Sequence, residues 1–141
     1  AREEAAAAAA VALGIDVPVT LELADAAAEA EAPVSEWVES GITGVVAFND
    51  DVAAAIIGAA TRAGIAVPER LSVIGHDDTP MSRLFEPRIS SVRIDSTGLG
   101  HYLAALAMHA MDQTPTPDWE QTSAVTLIVR ASTSANPTAR A

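Results

Sequence analysis

Residues 42–78 (ITGVVAFNDDVAAAIIGAATRAGIAVPERLSVIGHDD) constrain the fold more tightly than any other stretch. Residues 43–48 (TGVVAF) form a short apolar run with β-branched members, the pattern of a strand buried on both faces. Asn49, Asp50 and Asp51 follow, and a side-chain oxygen there can accept a free backbone N–H from the first turn of a helix. Residues 52–61 (VAAAIIGAAT) are almost wholly apolar, which predicts a helix covered by sheet on one side and by other elements on the other. Gly64 is the expected stop, with Pro68 just beyond it. Residues 71–75 make a second buried strand ending in His76, Asp77 and Asp78. A strand, helix and strand in this order form a βαβ unit, so both acidic turns fall at one carboxyl edge of a parallel sheet. Open α/β sheets bind ligands at that edge.

The flanking sequence extends the alternation. Residues 2–13 are Ala-rich, with Glu3 and Glu4 where the helix dipole favours negative charge, and Gly14 ends that helix. Residues 17–23 (VPVTLEL) alternate like a strand, peripheral because Pro18 cannot donate to a ladder. Residues 24–32 read as a loop or short helical turn, and 33–40 (PVSEWVES) as a short helix stopped by Gly41. After the central unit come a helical turn over 79–87 and a strand over 89–94. Asp95 or Ser96 then caps a helix over 97–111, whose Leu99, Tyr102, Leu103, Leu106 and Ala110 recur at helical spacing. A break at 114–117, a final strand over 122–130 and a polar tail complete the chain. The class is α/β, with a mainly parallel sheet flanked by helices.

Composition narrows the functions. A chain of 141 residues is one modest domain, able to bury about 68% of its unfolded surface. All eight basic residues are Arg, and the net charge of −11 argues against a nucleic-acid or anionic-membrane surface. The absence of Cys excludes disulfide and thiol chemistry and fits a reducing cytoplasm. No apolar run approaches the roughly 20 residues of a bilayer span, and no signal-peptide pattern is visible. A start at AREEAAAA suggests a trimmed chain.

The acidic edge of Asn49, Asp50, Asp51, Asp77 and Asp78 admits three explanations. Capping and turn chemistry alone would place Asn and Asp at strand–helix junctions. A Mg²⁺-dependent phosphoryl-transfer site would use the carboxylates on a cation, but such chemistry usually adds a Lys, and the chain has none. Recognition of a polyhydroxyl ligand would use them to bind vicinal hydroxyls. His76 lies at the same edge, as a packing or ligand residue. His101 and His109 sit two turns apart without a third metal ligand, and Trp37 and Trp119 are sugar-stacking platforms or half-buried anchors. G-x-S-x-G, G-x-G-x-x-G and Walker loops are all absent, so catalysis is poorly supported.

Four stretches in register, residues 45–50 (VVAFND), 67–78 (VPERLSVIGHDD), 89–100 (ISSVRIDSTGLG) and 127–133 (LIVRAST), resemble LacI/GalR-type transcription regulators. The similarity is to the C-terminal part of their effector-binding region, a type I periplasmic-binding-protein-like fold, and spans essentially all of the chain. Arg2 and Gly14 also have the family's spacing. The resemblance implies that Arg2, Asn49 and Asp77 hydrogen-bond a small effector, usually a sugar, sugar phosphate or purine. His76 stands where an aromatic is common, Asp50 belongs to the same edge, and Asp95 and Ser96 lie at a crossover near the cleft. It further implies an effector-binding subdomain over 1–95 and 122–131, and a crossover helix over 96–121 that packs on an N-terminal subdomain outside this chain. Residues 132–141 would be a flexible tail.

The expected function is effector sensing by a cytoplasmic, homodimeric regulator. It would use no catalysis, cofactor or metal, and would contact DNA only through a domain outside these residues. The alternatives are a solute-binding receptor of a sugar transporter and a Mg²⁺-dependent phosphotransferase. The 97–111 stripe should be uncovered in this chain and self-associate, with residues 52–61 as a second candidate surface.

Overall fold

The computed structural model describes residues 2–112, 115–116 and 125–135. The chain runs α1 (Arg2–Leu13), α2 (Ala26–Glu29), α3 (Glu31–Glu39), β1 (Gly44–Val46), α4 (Asp50–Arg62), β2 (Ser72–His76), α5 (Pro80–Leu84), β3 (Ser90–Ile94), α6 (Ser96–Asp112) and β4 (Val125–Ile128). The sheet order is β1-β2-β3-β4; the first two pairings are parallel and β3–β4 is antiparallel. The expected α/β class with a mainly parallel sheet is what forms.

Local chemistry explains the boundaries. The Asn49 side chain accepts the Val52 N–H at 2.9 Å and starts α4, so the helix begins two residues before its apolar run. At its far end Gly64 adopts φ +71°, a conformation a side chain would strain, and Ile65 N donates to Ala60 O at 2.8 Å. The same closure follows α1 at Gly14 and α3 at Gly41. Asp25 accepts the Ala27 and Ala28 N–H groups and converts the acidic Ala-rich stretch into α2. Asp95 does the same for Thr97 and Gly98 at the start of α6.

The core lies on one side of the sheet. Ala53, Ile56, Ile57 and Ala60 of α4 are buried with Val73 of β2, with Leu71 and Ile89 beside the strands, and with Ala30 and Val34 from the α2–α3 layer. The α4 helix is thus sandwiched between β2 and α3, as its all-round apolarity requires. Burying each of the larger aliphatic side chains contributes about 1.5–3 kcal/mol.

Three expectations need correction. The first strand is not buried on both faces: Val45 and Ala47 face the core, but Val46 is 80% and Phe48 67% exposed. No layer covers the second face of the sheet among the described residues, which also leaves Ile74 and Val92 only half-buried. Residues 17–23 pair with no strand, exposed except for Leu23 against the core: alternation interrupted by Pro18 forms no ladder here even though β1 has a free edge among the described residues. Residues 52–61 are not a free docking surface, since most of α4 is in the core. The stripe on α6 is open, with Leu103 and Leu106 exposed and Leu99 and Tyr102 half-buried. The start of the last expected strand, the break at 114–117 apart from residues 115–116, Trp119 and the tail beyond 135 lie outside the described residues.

Candidate functional site

Register brings the two acidic turns together. Val46 pairs with Ile74, and Asn49 and Asp77 each lie three residues further along their parallel strands. Ala47 N donates to Ile74 O at 2.8 Å and Asp77 N to Val92 O at 2.8 Å, so the ladder continues to the carboxyl edge. There the backbone turns sharply: Asp77 has φ +95° and Asp78 φ +49°. Two successive non-glycine residues at positive φ are uncommon and mark a position where strain is held by its surroundings.

The turn sends the neighbouring carboxylates in opposite directions. Asp77 presents a side chain that is 51% exposed, with Oδ1 2.7 Å from His76 Nδ1. His76 is half-buried, on the open face of the sheet with Ile74 and Val92. Asn49, also half-buried, spends its carbonyl oxygen on the α4 cap and leaves its amide N–H groups without partners among the described residues. A carboxylate acceptor, an amide donor and an imidazole thus line one edge, the complement needed to bind sugar hydroxyls, which both donate and accept.

Asp78 turns inward, its side chain only 1% exposed. Its Oδ2 accepts from Arg83 Nη2 at 2.8 Å and from Arg93 Nε at 2.7 Å and Nη2, and its Oδ1 from Arg130 Nη2. Burial by itself would raise the carboxyl group, but the hydrogen bonds from Arg130, Arg93 and Arg83 outweigh it and hold Asp78 far below the usual carboxylate range. The Asp78 N–H donates to Ser91 Oγ at 2.9 Å, which fixes the turn.

Asp50 is committed to the fold as well. It is fully buried, Oδ1 accepting from Ser91 Oγ at 2.6 Å and Oδ2 from the Thr79 N–H at 2.7 Å and Oγ1 at 3.0 Å. Gly75 makes this possible, because a Cβ there would collide with Asp50 Oδ1 and lie 3.1 Å from its Cα. Of the expected site residues, Asp50 has both carboxylate oxygens engaged inside the fold by Ser91 and Thr79, and Asp78 is engaged by three arginines, so neither carboxylate does the capping that its position at the turn suggested. Ser96 begins α6 and is exposed, directly after Asp95 and two residues past the end of β3. Arg2 opens α1, and the expectation for its side chain lies outside the described residues. Trp37 is half-buried against the core, the anchor reading. Among the described residues no group of His, Cys, Asp or Glu could hold a metal ion.

The periplasmic binding protein-like domain family matches residues 1–133. The chain belongs to that family. Among the curated relatives of this periplasmic binding protein-like domain, the transcriptional regulator GalR of Escherichia coli is 36% identical over 92 residues, covering 65% of this chain and 27% of GalR. The regulator MalR of Streptomyces coelicolor is 32% identical over 106 residues, 75% of this chain and 31% of MalR. A LacI family regulator from Arthrobacter sp. FB24, solved in complex with lactose, superposes with a TM-score of 0.74 at 28% identity, over 93% of this chain and 51% of that one. A LacI-family regulator from Corynebacterium glutamicum gives the same TM-score and identity over 96% and 53%. The domain thus spans about half of these solved chains and under a third of these curated relatives, and it corresponds to the C-terminal part of the effector-binding region.

Sequence patterns alone assigned no role to Arg83, Arg93, Arg130 or Ser132 of the domain. Ser132 Oγ donates to Val73 O at 2.6 Å and accepts the Ser90 N–H at 2.8 Å, stitching the chain after β4 to β2 and β3. The LIVRAST stretch held the only signal for Arg130 and Ser132, since both fall inside it.

Proposed function

We propose that this chain is the ligand-sensing part of a sugar-responsive transcription regulator, with Asp77, Asn49 and His76 contacting the effector. The observation that carries this reading is the solvent-facing Asp77 carboxylate. It is fixed at the carboxyl edge by a strained turn and set against an imidazole and a half-free amide. The lactose complex of the Arthrobacter relative supports a sugar as the ligand class. Among the described residues no helix is long and apolar enough to cross a membrane.

In the same reading, Asp95 and Ser96 are the crossover at which the chain leaves this subdomain. The open stripe of α6 packs on the remainder of a longer regulator, and Arg2 adds a hydrogen bond to the effector. DNA contact, a homodimeric assembly, a cytoplasmic location and the absence of catalysis belong to this proposal too. Effector binding between two subdomains would favour one relative orientation through differential affinity.

Calorimetric titration of the full-length protein with a panel of neutral mono- and disaccharides tests the site. One or more should bind, and Asp77→Asn should weaken binding by about 2 kcal/mol, the scale of a hydrogen bond to a charged group. Unchanged affinity in Asp77→Asn, or no binding across the panel, would reject the assignment.

A further inference from the structure

A depression with a volume of about 610 Å³ has walls from Arg83, Arg88, Arg93, Arg130, Glu86 and Val129, and none from Asn49, His76 or Asp77. Four of the eight basic residues of an otherwise acidic chain therefore meet at one place. Asp78 explains why three of them gather, but not why they exceed its charge. One carboxylate cannot neutralise three guanidiniums, and Glu86 offsets at most Arg88, so the depression is left net positive.

The donors are not exhausted either. A guanidinium carries five N–H donors; Arg83 spends one on Asp78 and Arg93 two. Their side chains are 58% and 45% exposed, so the remaining donors are open to a ligand. Arg88 makes no ion pair among the described residues. Buried Asp78 acts as an orienting group: it holds Arg83, Arg93 and Arg130 in fixed rotamers before any ligand arrives, which lowers the ordering cost of binding.

The two sites use opposite faces of the sheet. His76 and Val92 share the open face, whereas Ser91 and Arg93 belong to the face that carries α4 and Asp78.

From this we propose that the arginine depression is a binding site for a compact phosphate-class anion, separate from the sugar edge. Planar guanidinium forks match phosphate oxygens bidentately, which a point-charge cation would not. The overall charge of −11 disfavours an extended polyanion such as nucleic acid, because its further phosphates would meet a negative surface. The proposal does not depend on the identity of the sugar.

The test uses the full-length protein, inorganic phosphate as the probe, and chloride at matched ionic strength as the reference. Thermal unfolding and calorimetry should both report phosphate binding beyond the chloride effect. Arg88→Gln and Arg83→Gln should each weaken it by about tenfold. Arg88→Gln should leave the midpoint without phosphate nearly unchanged, since Arg88 makes no ion pair among the described residues; Arg83→Gln also removes a bond to buried Asp78, so its phosphate effect is read against its own phosphate-free midpoint. Asp77→Asn should leave phosphate binding intact. Methyl phosphate binding as well as inorganic phosphate would place a phosphate ester in the site; binding of inorganic phosphate alone would assign it to the free ion. A phosphate effect no larger than chloride's, or one that survives in the Arg83→Gln/Arg88→Gln double variant, overturns the proposal. So does an effect abolished by Asp77→Asn, which would move the anion to the effector edge.

Discussion

Asp77 and Asp78 are adjacent, chemically identical and placed at the same sheet edge, yet they do opposite things. Asp77 faces solvent beside His76, while Asp78 is sealed under α5 by three arginines. The difference arises in the backbone: two positive φ values in succession rotate one carboxylate outward and the next inward. The inward group holds the turn rigid, and the outward group is thereby presented in a fixed direction. Residues that bind a ligand need such support, because a loosely held carboxylate would lose part of its binding energy to ordering.

The largest test of this contrast is Asp78→Ala. It leaves Arg130 buried without its carboxylate and should cost about 3 kcal/mol. That is the low end of the range for breaking a buried pair, because Arg83 and Arg93 are half exposed and can turn to water. Urea denaturation measures it, and a midpoint equal to that of the parent would remove Asp78 from its structural role.

Next in size is Gly75→Ala, where the new methyl group would push into Asp50 and Ala53. Overpacking of this kind costs about 1–3 kcal/mol. The loss should shrink in an Asp50→Ala background, where the opposing carboxylate is gone, and equal losses in both backgrounds would mean that Gly75 does not act through Asp50.

Acid titration isolates the contribution of the inward carboxylate. Asp78 ionises in the folded chain far below its unfolded value, so the unfolded state binds the extra proton. Its contribution is complete above the unfolded carboxylate range, near pH 4, and is lost as pH falls below that toward the folded value. Asp78→Asn should flatten the decline in stability below about pH 5. An equally steep decline in that variant would assign the acid sensitivity to other carboxylates.

The smallest effect is expected at the outward group. Asp77→Asn should change stability by less than about 0.5 kcal/mol, since Asn tolerates the positive φ as Asp does and the side chain is exposed outside the core network. A loss comparable to that of Asp78→Ala would break the division of labour.

Much of this was legible in the residues. Helix starts and stops follow from short-range chemistry, since Asn49, Asp25 and Asp95 cap the helices they precede and Gly14, Gly41 and Gly64 close others. The βαβ unit was readable because a helix apolar all round must be enclosed. The four family stretches pointed to the periplasmic binding protein-like fold, and they motivate the proposal that Asp77 and Asn49 contact an effector.

What the chain could not declare is which way each group faces. Acidic residues at a sheet edge look alike whether they cap, bind or anchor, so composition and spacing did not show that Asp50 and Asp78 are buried while Asp77 faces solvent. An alternating pattern such as residues 17–23 names a strand, but alternation alone does not dock it on a sheet edge, even with one edge of β1 unpaired among the described residues. The arginine cluster is less visible still, because Arg83, Arg93 and Arg130 are scattered over three elements and converge only when β4 folds back antiparallel to β3. Local interactions within a few residues determined where elements begin and end. Contacts between distant residues, which depend on sheet order and register, decided which carboxylate meets solvent and which meets arginine.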